Sequence, residues 1–115
     1  MSASAEYVEY IKELLTDFPD LITKKYFGGM ALRSSALGKD TQFATILGDV
    51  LYFVVDESTR PKYIAKGMNP FSYDKKDKTV IVKKWYAAPE ELFEDQDLMF
   101  QWAMEALETA VRLTK

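Results

Sequence analysis

The sequence predicts an α+β domain in two layers, a five-stranded antiparallel sheet with three helices, in the order α-β-β-β-α-β-β-α. Helical periodicity marks both ends of the chain, while the segments between them alternate with a strand's period and are joined by short turns. Helices that alternate with hairpins, not with single strands, imply antiparallel pairing. The sheet then has one face against the helices and one face left for solvent or a partner.

The first helix spans residues 4–18, where Tyr7, Val8, Ile11, Leu14, Leu15 and Phe18 recur at the spacing of one helical face. Ser4 is its expected N-cap, Glu6 and Glu9 lie where the helix dipole favours negative charge, and Pro19-Asp20 stops it. Strands are expected at Lys25–Ser34, Gln42–Leu47 and Val50–Val55. Gly38-Lys39-Asp40 reads as the loop of the first hairpin and Gly48-Asp49 as the two-residue turn of the second. A short helix follows, with Asp56 or Ser58 as cap, Pro61 in its first turn and Gly67 just past its end. Pro70–Asp74 and Thr79–Tyr86 form a further hairpin around the polar turn 75–78. Pro89-Glu90-Glu91 opens the last helical region, which restarts at Asp95 and carries an apolar stripe from Leu98 to Val111.

A chain of 115 residues, 48% hydrophobic and 29% charged, forms one domain over residues 1–115 with a single core. The longest apolar run, Val50–Val55, suits a buried strand and is far too short to cross a bilayer. No basic-then-apolar leader precedes the first helix, and the absence of cysteine is compatible with a reducing interior, so a cytoplasmic protein is expected. Histidine is absent too. Without imidazole or thiolate, the usual ligands of zinc, copper and haem and the usual bases for a hydroxyl nucleophile are missing. No catalytic residue, metal or cofactor is therefore expected.

Charge is segregated. Residues 1–23 hold one basic and five acidic side chains, residues 24–84 twelve basic and six acidic, and residues 85–115 two basic and seven acidic. Within the basic middle, Lys75, Lys76, Lys78, Lys83 and Lys84 interleave with Tyr73, Trp85 and Tyr86, the composition of a hairpin that contacts phosphates and stacks bases. The plainer reading is a solvated tip whose aromatics belong to the core and whose lysines blunt an edge. Gly28-Gly29 lacks the spacing of a phosphate loop and reads as a strand kink or bulge that accommodates a neighbour. Glu90, Glu91, Glu94, Asp95 and Asp97 lack the ligand spacing of a calcium loop and fit helix starts. Asp56 is expected to cap, with Arg60 in local contact.

Phe27-Gly28-Gly29, Phe43-Ala44-x-Ile46, Gly48-x-x-Leu51-Tyr52-x-Val54-x-Asp56, Gly67, Pro70-Phe71-x-Tyr73, Tyr86-x-x-Pro89 and Trp102-Ala103 together resemble the TfoX (Sxy) N-terminal domain family of bacterial competence regulators. The resemblance runs from about Tyr26 to Ala110. It implies the same element order, like that of small secretion chaperones, and it includes no counterpart of the C-terminal domain of full-length members. It departs from the family at Ala31, where a further glycine is usual, and in a longer first hairpin. The function it implies is non-catalytic regulation connected with transcription. A protein partner of unknown identity, or a second copy as a homodimer, would meet the open face and edge of the sheet through Tyr52, Val54, Tyr73, Lys84 and Tyr86. The alternative is direct nucleic-acid binding through the 75–86 hairpin.

Overall fold

A computed structural model describes residues 3–114. Helix α1 (Ala5–Leu14) leads into β1 (Leu21–Tyr26), β2 (Gly29–Ser34), β3 (Thr41–Leu47) and β4 (Val50–Val54). Helix α2 (Arg60–Ala65), the hairpin β5 (Pro70–Lys75) and β6 (Lys78–Ala87), a 3-10 turn (Glu90–Glu94) and α3 (Gln96–Leu113) complete the domain. The architecture is α+β, with three α-helices against an open antiparallel sheet.

Among the described residues the sheet has six strands, in the order β1-β2-β3-β4-β6-β5, where five were expected. The difference lies at Phe27-Gly28, which breaks the expected strand 25–34 into an antiparallel pair. Both residues have positive φ, 45° and 80°, as a mirror-image hairpin turn requires. Phe is a poor residue for that conformation, so only the glycine of the dipeptide signals a turn. The Gly48-Asp49 turn forms as expected, and Asp49 also accepts a bond from the Ser4 amide at 2.7 Å, tying the start of α1 to it.

The first helix is shorter than its apolar period. Ser4 caps it by accepting from the Tyr7 amide at 3.2 Å, α1 ends at Leu14, and Leu15–Phe18 continue as turns. Leu15 and Phe18 are nonetheless buried, because the turns keep them on the side facing the sheet. Asp95 caps α3 by accepting from the Leu98 amide at 3.1 Å, after the break expected near Glu94.

All three helices cover the same face. Phe18 stacks on Phe43 of β3 (4.8 Å) and tilts against Phe100 of α3 (5.5 Å), while Tyr63 of α2 meets Trp102 of α3 (4.8 Å) and Tyr86 of β6 (6.2 Å). Leu32, Phe43, Ile46, Leu51 and Phe53 are fully buried beneath them. Complete burial of each such side chain contributes about 1.5–3 kcal/mol. Two irregularities set what the other face displays. The β2–β3 register shifts at Leu32/Arg33, which leaves Phe43 without a partner and puts Gln42 beside Thr45, with Gln42 Nε2 donating to Thr45 Oγ1 at 2.8 Å. In the β5–β6 hairpin, Pro70 pairs with Tyr86 but Phe71 pairs with Val82, so Lys83, Lys84 and Trp85 are looped out relative to β5.

Candidate interaction surface

Strand alternation places Lys24 and Tyr26 of β1, Arg33 of β2, Thr45 and Leu47 of β3, Tyr52 and Val54 of β4, and Trp85 and Ala87 of β6 on the face without helices. The bulge at Lys83–Trp85 bends the outer part of the β5–β6 hairpin, as extra residues in one strand do. Phe71, Tyr73, Val80 and Val82 lie on one side of that arm. Phe71 meets Tyr52 edge to face at 5.3 Å and Trp85 at 5.9 Å. From the far side Tyr26 reaches Trp85 at 5.9 Å, also edge to face, although β2, β3 and β4 lie between their strands.

The result is a cleft of ≈ 450 Å³ lined by Tyr26, Phe27, Leu47, Phe71, Tyr73, Val82, Lys84 and Trp85. Its rim is unusual. Phe27 is 83% exposed, in a left-handed conformation that costs a bulky residue about 1–2 kcal/mol. The Lys84 ammonium lies 5.8 Å from the Trp85 ring centroid.

Of the residues expected at a contact surface, Tyr52 is half-buried and Val54 buried on this face, Tyr73 is exposed on the bent arm, and Lys84 is exposed at the cleft. Tyr86 is a correction: it pairs with Phe53, points under the helices against Tyr63, and is 7% exposed. Its neighbour Trp85 takes the open side instead. Sequence reasoning missed Tyr26, Phe27, Phe71 and Arg33; the glycine after Phe27 was the one signal that Phe27 could stand at a turn.

Other charged groups are committed to structure. Asp56 accepts from Ser58 Oγ (2.7 Å) and the amides of Ser58 (2.9 Å) and Thr59 (3.1 Å), fixing the entry to α2. Its ion pair is with Arg112 of α3 at 3.0 Å, not with Arg60, whose Nε donates to the Lys83 carbonyl at 3.2 Å. The Ser58 hydroxyl first, then Arg112, hold the Asp56 carboxyl well below the usual carboxylate range. Burial pushes the Tyr63 hydroxyl strongly upward, with Glu105 adding to it, and burial also raises Tyr52 and Tyr7, so these groups stay neutral at ordinary pH. Glu91 pairs with Lys66 at 2.8 Å and Glu105 with Lys62 at 2.6 Å. No group of three or more carboxylates among the described residues is placed to hold a metal ion.

Comparison with known families gives a match to the TfoX N-terminal domain over residues 13–110. The chain belongs to the TfoX N-terminal domain family. No curated protein matches it. The TfoX N-terminal domain is a non-enzymatic regulatory domain family, so the aromatic cleft belongs to a TfoX-like regulatory domain. No described helix of this TfoX-like domain is long and apolar enough to cross a membrane.

Proposed function

We propose that this TfoX-like domain is a non-catalytic module that regulates by holding another protein on the helix-free face of its sheet, in the setting of transcription control. One observation carries the reading: an aromatic cleft whose most exposed wall, Phe27, is held in an unfavourable backbone conformation. The hairpin turn requires that conformation, but a bulky exposed residue is a poor choice for it, and such a choice makes sense where a partner covers the side chain. The family's regulatory character and the absence of histidine and cysteine from the chain support a binding role over catalysis. Among the described residues the groups that titrate most abnormally, Asp56 and Tyr63, serve a helix entry and the core.

The face also carries Lys24, Arg33 and Lys84. Two such faces would repel each other, which favours a different protein over a second copy docked face to face. The test is photo-crosslinking in the native cell from a reactive residue at Tyr73, with Glu9 on α1 as the comparison site. A component of the transcription machinery captured from Tyr73 and not from Glu9 is the expected outcome. Equal capture from both sites, or none from Tyr73, overturns the proposal.

A further inference from the structure

We infer that the open face binds an acidic peptide segment carrying a large apolar side chain. The inference rests on the reading above and specifies the chemistry of the partner. The Tyr26–Trp85 contact divides the face into two adjoining compartments that share Tyr26, Trp85 and Lys84. The first is the aromatic cleft, in which Lys84 is the sole charged residue. The second, of ≈ 380 Å³, is closed on one side by Ala110, Leu113 and Thr114 at the end of α3 and contains Arg33, Lys39 and Lys84. Its only carboxylate, Asp40, is already engaged by Arg33, with Nε to Oδ1 at 3.1 Å.

An apolar chamber beside a cationic one selects a ligand with the same division. In an extended peptide neighbouring residues are about 3.3 Å apart along the chain. A phenylalanine or leucine seated among Phe27, Phe71 and Tyr73 therefore puts carboxylates one or two positions away within reach of Lys84 and Arg33. Charge complementarity decides between occupants. Of the open-face residues assigned by strand pairing, none is acidic. A neutral apolar peptide would leave Lys39 and Lys84, the two cations of the second compartment that Asp40 does not engage, unanswered.

A single-stranded nucleic acid would also meet the charge, but the rings are poorly placed for it. Tyr26–Phe27, Tyr26–Trp85 and Tyr52–Phe71 cross at 74°, 66° and 73°, so they engage one another edge to face. Binding successive bases requires free, stackable ring faces. Asp74 and Asp77 also sit among the lysines of the hairpin tip.

The probe is a short synthetic peptide of sequence Asp-Glu-Phe-Asp-Leu-Glu, titrated onto the full chain and followed by amide chemical shifts. Shifts are expected at Tyr26, Phe27, Lys84 and Trp85 and not along α1. Replacing the peptide's acids by amides should weaken binding about tenfold, as should Phe27→Asp or Lys84→Glu in the protein, the scale of losing an anchor. Both positions are exposed, and each variant's amide spectrum reports whether it is folded.

The inference falls if the peptide leaves the open face unshifted or if the amide peptide binds equally well. It falls equally if oligothymidine binds that face more tightly than the peptide, or if the chain self-associates through it. Crosslinks from Tyr73 to a partner, without binding of the peptide, would leave the proposed function standing and remove only this partner chemistry.

Discussion

Replacing Gly29 by alanine isolates one close approach on which the open face depends. A Cβ at Gly29 would stand 2.1 Å from the Ile46 carbonyl oxygen and 2.6 Å from Leu47 Cδ2. Leu47 can rotate away, but the carbonyl belongs to β3 and is fixed by the ladder. Relief needs β2 and β3 to separate by about an ångström where strands normally lie about 4.8 Å apart. Overpacking of this kind costs about 1–3 kcal/mol, and a ladder hydrogen bond lost at Met30–Ile46 adds about 1 kcal/mol. A loss of about 3 kcal/mol is a large share of the roughly 5–15 kcal/mol that holds such a domain.

Gly38→Ala is the comparison. Its φ is 97° and nothing lies within 4 Å of the added carbon, so backbone strain alone, about 1–2 kcal/mol, should appear. Urea unfolding followed by tryptophan fluorescence measures both. With a slope of about 2 kcal/mol per molar, Gly29→Ala should lower the midpoint by about 1.5 M and Gly38→Ala by about half of that. A Gly29→Ala protein as stable as Gly38→Ala would refute the argument that this glycine is required by the approach of Ile46.

Ser34→Ala should cost about 1–3 kcal/mol by thermal denaturation, because its buried hydroxyl donates to the Pro19 carbonyl (2.8 Å) and accepts from the Ala36 amide (3.1 Å). Asp56 has a folded pKa below its ordinary 3.8, so it contributes stability above that value, and the contribution is lost as pH falls below it. Asp56→Asn should therefore flatten the acid limb of stability against pH and lower stability near neutrality by about 1 kcal/mol, measured by urea unfolding at several pH values. Tyr63 should stay protonated into strongly alkaline solution and ionise only on unfolding, so Tyr63→Phe should leave the ultraviolet titration of the folded protein unchanged. Phe27→Asn should be no less stable than the parent chain in urea. It removes about 1–2 kcal/mol of left-handed strain against one Tyr26 edge contact worth about 0.5–1.5 kcal/mol.

The parts of the fold that could be read from the chain are those where one period governs one buried face. In α3, Met99, Trp102, Ala103, Ala106, Leu107 and Ala110 recur at helical spacing and are all buried. Gly48-Asp49 announced its turn because glycine tolerates the left-handed region. Leu21–Tyr26 was not legible as a strand of its own: it is an edge with lysines on both alternations, and its turn is made by Phe27. The face assignments in β3 and β6 were hidden for a different reason. A slip of one residue moves every side chain to the opposite face, and the slips at Leu32/Arg33 and Lys83–Trp85 are set by partners far away in sequence. That is why Tyr86 was expected outside and lies in the core, while Trp85 takes the open side. Val50–Val55 and Val80–Tyr86 defeated a simple reading because both of their alternations are bulky. A strand with one face in solvent has no need of large residues on that face. Bulk on both sides of β4 and β6, where helices cover only one, is the trace in the sequence of a second apolar surface on the helix-free face.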